Sequence, residues 1–174
     1  MIKTQYLALL RGINVGGNNI IKMTDLKSCF ENMGFSNVLT YIQSGNVIFQ
    51  SEIKDIESLI QKIEKELSDR FNYKSKIVLI THKHLEQVIQ KAPKYFGDFP
   101  EEYRYDVLFL KNPLTASEAL ETIKIREGID QVYAGKEVLY FSRLISKAGQ
   151  SYLNKIITLP VYQNMTIRNW NTTS

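Results

Sequence analysis

An α+β fold made of two related halves is what the residue order of this chain predicts, and three observations carry the prediction. Short segments rich in Val, Ile, Leu, Tyr and Phe alternate with stretches whose apolar residues recur at helical spacing. Two glycine-centred turns, Ser44-Gly45-Asn46 and Ala134-Gly135-Lys136, each separate a pair of β-rich segments. The order of elements found before residue 82 recurs after residue 102.

Residues 6–10 form a nearly continuous apolar run ended by Arg11-Gly12, which suits a strand covered on more than one side. The stretch RGINVGGNNIIKM follows. Its Gly12, Gly16 and Gly17 permit positive φ, and Asn14, Asn18 and Asn19 tolerate left-handed backbone while offering side-chain amides. Met23, Leu26, Cys29, Phe30 and Met33 then fall at helical spacing, with Gly34 as the stop. Residues 38–43 and 47–50 flank the Ser44-Gly45-Asn46 turn and read as a hairpin. Ile56, Leu59, Ile60, Ile63, Leu67 and Phe71 make one stripe, with the charges between them pointing elsewhere, as in a helix docked on a sheet. Residues 76–81 supply a fourth strand. The order β-α-β-β-α-β is the ferredoxin-like split β-α-β arrangement, with both helices on one face of an antiparallel sheet and right-handed crossovers.

The second half follows the same scheme. YDVLFLK aligns with YLALLRG, laying Tyr105 on Tyr6, and Asn112-Pro113 ends that strand. Thr115 and Glu118 have the spacing of a capping box ahead of a helix carrying Ala119, Leu120 and Ile123. A hairpin at 132–133 and 138–141 matches the first when Gly135 is laid on Gly45, and a last helix is expected over 150–157. The two alignments are offset by 99 and 90 residues, so the first unit holds nine extra residues, largely in the glycine and asparagine loop. The expected organisation is a ferredoxin-like unit at 1–81, a connector at 82–102 with a helix over 82–90 and a proline and aromatic stretch after it, and a second ferredoxin-like unit with a C-terminal tail at 103–174.

Composition narrows the class. A chain of 174 residues that is 44% hydrophobic and 23% charged has the make-up of a folded protein with a core. Its 22 Lys plus Arg against 18 Asp plus Glu give a net charge of +4, scattered without a basic run, which permits an anionic partner. The single cysteine, Cys29, excludes an internal disulfide and a Cys-rich metal site, fits a reducing cytoplasm, and reads as a packed thiol on an apolar helix face. No apolar run approaches the ~20 residues of a membrane span, and the apolar patch near the N-terminus is too short for a signal-peptide core. A soluble cytoplasmic protein without membrane partners is expected.

YLALLRGINVGGNN, then GF-x-NV-x-TYIQSGNVIF, then T-x-RNWNT near the end resemble the domain-of-unknown-function family numbered 1697, across essentially the whole chain. The resemblance implies a duplicated ferredoxin-like α/β structure and no established reaction, and it brings no catalytic residue with it. Members of that family continue past the RNWNT segment with a helix, whereas this chain ends at Ser174.

The function expected from the residues is non-catalytic binding of a small anionic ligand at the glycine and asparagine loop. Free backbone N–H groups and a helix N-terminus favour anions. The candidate ligand set is Arg11, Asn14, Gly16, Gly17, Asn18, Asn19 and Lys22 from the loop, with Tyr41, Ser44 and Asn46 from the neighbouring hairpin. The loop has neither Walker spacing nor the dinucleotide fingerprint. The first alternative is a homo-oligomeric or protein-partner interaction module; the second is an enzyme of unrecognised type. No catalytic residue, metal ligand or cofactor is expected, since no carboxylate pair or Ser-His-Asp order is present and His82 and His84 do not share a helical face. Nucleic acid is disfavoured, because NVIFQS lacks the RNA-recognition signature and the charge is small. Arg168, Asn169 and Trp170 form a further polar and aromatic group.

Overall fold

A computed structural model describes residues 1–174 and divides into two units, Met1–His84 and Leu85–Ser174. The first runs β1 (Thr4–Leu10), α1 (Met23–Asn32), β2 (Ser36–Tyr41), β3 (Asn46–Ser51), α2 (Ile56–Phe71) and β4 (Ile77–Thr81). Its antiparallel sheet has the order β2-β3-β1-β4, as the ferredoxin-like arrangement requires. Tyr6, Ala8 and Leu10 of β1 face the helices beside Val47 and Phe49 of β3, and Leu26, Phe30, Leu59, Ile63 and Leu67 close the core from α1 and α2. The apolar stripe of α2 is thus buried as its spacing requires. Asp55 caps its N-terminus by accepting from Glu57 N–H at 3.2 Å, and Asn72 ends it in the left-handed conformation. Cys29 is buried, and burial pushes its thiol pKa up.

In the second unit, α3 (His82–Gln90), which begins at the end of the first, leads to β5 (Tyr103–Leu110), α4 (Ala116–Thr122), β6 (Asp130–Ala134) and β7 (Val138–Leu144). Thr115 and Glu118 form the reciprocal capping box that starts α4. After β7 the chain passes through a 3-10 segment, Ile145–Gln150, a short α5 (Leu153–Ile156) and a second 3-10 segment, Pro160–Asn164, before β8 (Met165–Asn169) and α6 (Trp170–Thr173). The sheet order β6-β7-β5-β8 repeats that of the first unit.

Two expectations for this half are corrected. The helix expected over 150–157 is only the single turn of α5, since Gly149 and Ser151 interrupt the pattern. The RNWNT segment is not a tail: Arg168 and Asn169 end the fourth strand, and Trp170 opens α6. MTIRN is too polar to stand out as a strand, and its place is set by pairing with β5.

The repeat register also differs from the one read by residue type. Leu10 N–H donates to Gly45 O at 2.9 Å, and Leu110 N–H donates to Glu137 O at 3.0 Å. Leu110 is therefore the counterpart of Leu10, and the counterpart of Tyr6 is Asp106 rather than Tyr105. A slip of one residue in a strand exchanges its two faces, so laying tyrosine on tyrosine reversed the faces of β5. In the structural register the first unit holds eight extra residues before its hairpin, not nine. Twelve residues, 11–22, join β1 to α1, whereas five, 111–115, join β5 to α4.

No helix is long and apolar enough to cross a membrane.

Candidate functional site

The glycine and asparagine loop is an excursion of the first unit held by hydrogen bonds of its own side chains. Ile13 and Ile21, near its two ends, are buried in the helix-side core. Between them Asn18 N–H donates to Val15 O at 3.0 Å, closing a tip that carries Gly16 and Gly17 at φ +59° and +77°. The base is held by Asn14, itself in the left-handed conformation, whose Nδ2 donates to Ile21 O at 3.1 Å and to Gln43 O at 2.8 Å. Its Oδ1 accepts from Ile21 N–H at 2.8 Å. Asn19 Nδ2 donates to Gly12 O at 2.9 Å. The bond from Asn14 to Gln43 joins the loop to the hairpin turn, so the two sequence motifs do meet.

The hairpin side is organised in the same way. Asn46 is buried and its Nδ2 donates to Tyr41 O and to Ser44 Oγ, both at 3.0 Å. A Cβ on Gly45 would lie 2.8 Å from Ile13 Cδ1, so the bare glycine lets the loop pack down on the turn. Arg11, half-buried, leaves β1 with its N–H donating to Lys76 O at 3.1 Å, and exposed Lys22 occupies the N-cap position of α1 without a side-chain cap. The amides of Asn14, Asn19 and Asn46 thus serve the loop and turn themselves. This region also turns apolar side chains outward: Val15, Ile20, Leu39, Tyr41 and Ile42 are all exposed beside the polar Asn18, Asn19, Lys22 and Gln43.

The second unit holds a further polar site. A cavity of about 460 Å³ lies at the start of β5, with Arg104, Arg143, Asn169, Asn171, Tyr103 and Trp170 among its walls. Strand alternation builds its charged side: Arg104 shares a face of β5 with Leu108 and Leu110, Arg143 shares a face of β7 with Leu139 and Phe141, and both faces look toward the helices. Arg104 and Arg143 are direct cross-strand partners. Like charges so placed repel unless something negative sits between them. Asp106, next on the same face of β5, supplies part of that charge, with its Oδ2 3.9 Å from Arg104 Nε. Burial raises the Asp106 pKa, and the guanidinium groups of Arg104 and Arg143 only partly oppose this. Asp130, across from Arg143 on β6, has its carboxylate taken by Ser151 Oγ at 2.6 Å and by the backbone N–H groups of Tyr152 and Arg126, both at 2.9 Å.

Arg143 is left under-satisfied. One of its terminal nitrogens donates to Asn154 Oδ1 at 3.2 Å, whereas its buried Nε has no hydrogen-bond partner. A buried N–H without an acceptor costs about 1–3 kcal/mol, and a charged one more. The aromatic wall is fixed by packing: Trp170 stands edge-on to Phe96 at 5.1 Å, and Phe96 meets Tyr105 and Tyr140 in the same manner. Arg168 does not reach this cavity. It alternates to the other face of β8, where burial lowers its pKa to about 10.

The two copies differ most at this corner. Thr4, Tyr6, Ser51 and Thr81 of the first unit correspond to Arg104, Asp106, Arg143 and Asn169 of the second. In the first unit Tyr6 stacks on Phe49 at 5.6 Å and donates to Ile53 O at 3.0 Å, filling the space. In the second the ring is replaced by a carboxylate, and short helical pieces stand where the first has the sixteen-residue α2. The alternation Arg104-x-Asp106 at the mouth of an apolar strand is the sequence signal for this site; Arg143 could be paired with it only once the register was known.

Comparison with known proteins agrees with the architecture. The family model described as "Protein of unknown function (DUF1697)" matches residues 3–140. The solved structure of the conserved bacterial protein SP0830 from Streptococcus pneumoniae is similar over 99% of this chain and 96% of its own, with 26% identity and a TM-score of 0.84. No curated protein matches the chain.

Proposed function

The chain belongs to the DUF1697 family of proteins of unknown function, and from that premise we propose that it is a non-catalytic binding protein for a small anionic ligand held in the cavity of its second unit. The observation that carries the reading is the pair Arg104 and Arg143, direct cross-strand partners that both line that cavity. A carboxylate or phosphate oxygen in the cavity relieves the repulsion between the guanidinium groups, as charge-assisted bonds to arginine do elsewhere. The glycine and asparagine loop, where the residues first suggested the anion, has three of its region's asparagine side chains committed to internal bonds. We assign residence to the cytoplasm, in keeping with a single buried thiol. Calorimetric titration with inorganic phosphate and with acetate, at ionic strength matched by sodium chloride, tests the reading. Saturable binding is expected, weakened by about 1.5–3 kcal/mol in Arg143→Gln. Absence of binding by both anions, or affinities unchanged in Arg143→Gln, would overturn it.

A second reading is supported by the edge of the first sheet. β2 is outermost, Leu39, Tyr41 and Ile42 are exposed along it, and no residue from 32 to 51 is charged. Natural sheets usually protect such edges with charge. The bulge at Asn37 interrupts only the start of the strand, leaving Leu39 to Tyr41 regular. Self-association through this edge predicts a concentration-dependent mass in light scattering that Leu39→Lys abolishes. A monomer at all concentrations would dismiss it.

A further inference from the structure

Resting on that reading of the site, we infer that the ligand is a planar aromatic acid: an oxyanion carried on a flat ring. A volume of about 460 Å³ falls within the roughly 300–1,000 Å³ usual for small-molecule sites and is far more than a bare oxyanion fills. The chemistry of the walls is divided. Arg104 and Arg143 form one side, where guanidinium N–H groups donate to an oxyanion head group. The half-buried rings of Trp170 and Tyr103 form another, suited to a π-surface.

The aromatic side is held in place rather than folded into the space. Gly97, at φ +94°, has no Cβ, and the indole of Trp170 lies directly against it. Phe96 meets the indole edge-on, and Tyr103 and Tyr105 sit 6.1 Å apart along β5. A flexible aliphatic acid could satisfy the arginines but would not use these fixed rings. A flat acid uses both, and its ordering cost is low because it has few rotatable bonds.

Trp170 is the only tryptophan of the chain, so its emission reports this cavity directly. The experiment titrates the full chain with inorganic phosphate, n-butyl phosphate, phenyl phosphate and benzoate, following Trp170 fluorescence and confirming by calorimetry. Phenyl phosphate is expected to bind at least about tenfold more tightly than inorganic phosphate and several-fold more tightly than n-butyl phosphate, with benzoate also saturating. Tyr103→Leu, at a half-buried position, should reduce the preference for the phenyl ester while leaving inorganic phosphate unchanged, and Arg104→Gln, at an exposed one, should weaken all four. Equal binding of inorganic, butyl and phenyl phosphates would overturn the aromatic class while leaving the anion reading intact. Failure of all four to bind would overturn both.

Discussion

Asp106 shows how one side chain gives the second copy of a fold a different interior. At the position where Tyr6 fills the first unit, it is a buried carboxylate beside Arg104 of its own strand and near Arg143 of β7, with Asn169 opposite on β8. Its folded-state pKa is raised because burial outweighs the two arginines. The sign follows from linkage: a raised pKa gives stability that is complete below the ordinary aspartate range and is lost as pH rises through the folded-state value. The stability of the wild type relative to Asp106→Asn should therefore fall as pH rises above the ordinary aspartate range, as measured by urea unfolding of both proteins. A difference that stays flat or grows would show that the arginines dominate. Gly97 makes a second test at this scale. A Cβ there would overlap Trp170 Nε1 and lie 2.7 Å from its Cδ1, on a backbone at φ +94°. Gly97→Ala should cost about 1–3 kcal/mol and shift the Trp170 emission, since either the indole or the turn must move.

At the scale of elements, the glycine and asparagine loop is a case of side chains doing the work of a sheet. Asn14 satisfies three backbone groups, Ile21 N–H, Ile21 O and Gln43 O, and so ties the end of the loop and the hairpin turn to its own position. Asn14→Ala removes all three bonds at a left-handed residue and should destabilise the first unit by roughly 1–3 kcal/mol. Asn14→Asp keeps the acceptor for Ile21 N–H and loses both donated bonds, so it should lie between the two. Thermal unfolding orders the three proteins; equal stability would mean that the loop is only loosely attached. The helical connections differ more between the copies than the strands do. The single α2 of the first unit, capped at both ends, is replaced in the second by α5 and two 3-10 segments. Amide hydrogen exchange should therefore be fast across residues 145–164 and slow in the interior of α2, because 3-10 bonds are poorly aligned and a single helical turn opens easily.

For the whole molecule, the duplication explains why one architecture supports two unlike surfaces. The same sheet order recurs in both units, and the same alternating positions feed each core: Ala8, Leu10, Val47, Phe49 and Ile77 in one, Leu108, Leu110, Leu139, Phe141 and Met165 in the other. Burial constrains those positions, so both copies keep them apolar. The strand ends and the β-to-α connections escape that constraint. There the first copy gains a loop clasped by asparagines and an uncharged edge, and the second gains a pair of arginines over a cavity.

Periodicity and turn chemistry depend on near neighbours in the chain, which is why the amino-acid order by itself determined the first β-α-β-β-α-β series, the hairpins at Gly45 and Gly135, the capping box at Thr115 and the existence of a second copy. It also singled out the loop from Arg11 to Met23. Only the tertiary structure decided the rest. β8 takes its identity from pairing with β5, the asparagine amides prove to be engaged when Gln43 is brought beside Asn14, and Arg104 meets Arg143 through a cross-strand register set 39 residues apart in the chain. The physical reason is that local sequence sets the conformation of an element, whereas one residue of register decides which face of a strand is buried. In β5 that single residue separates a tyrosine packed among aromatic rings from an aspartate set beside a pair of arginines.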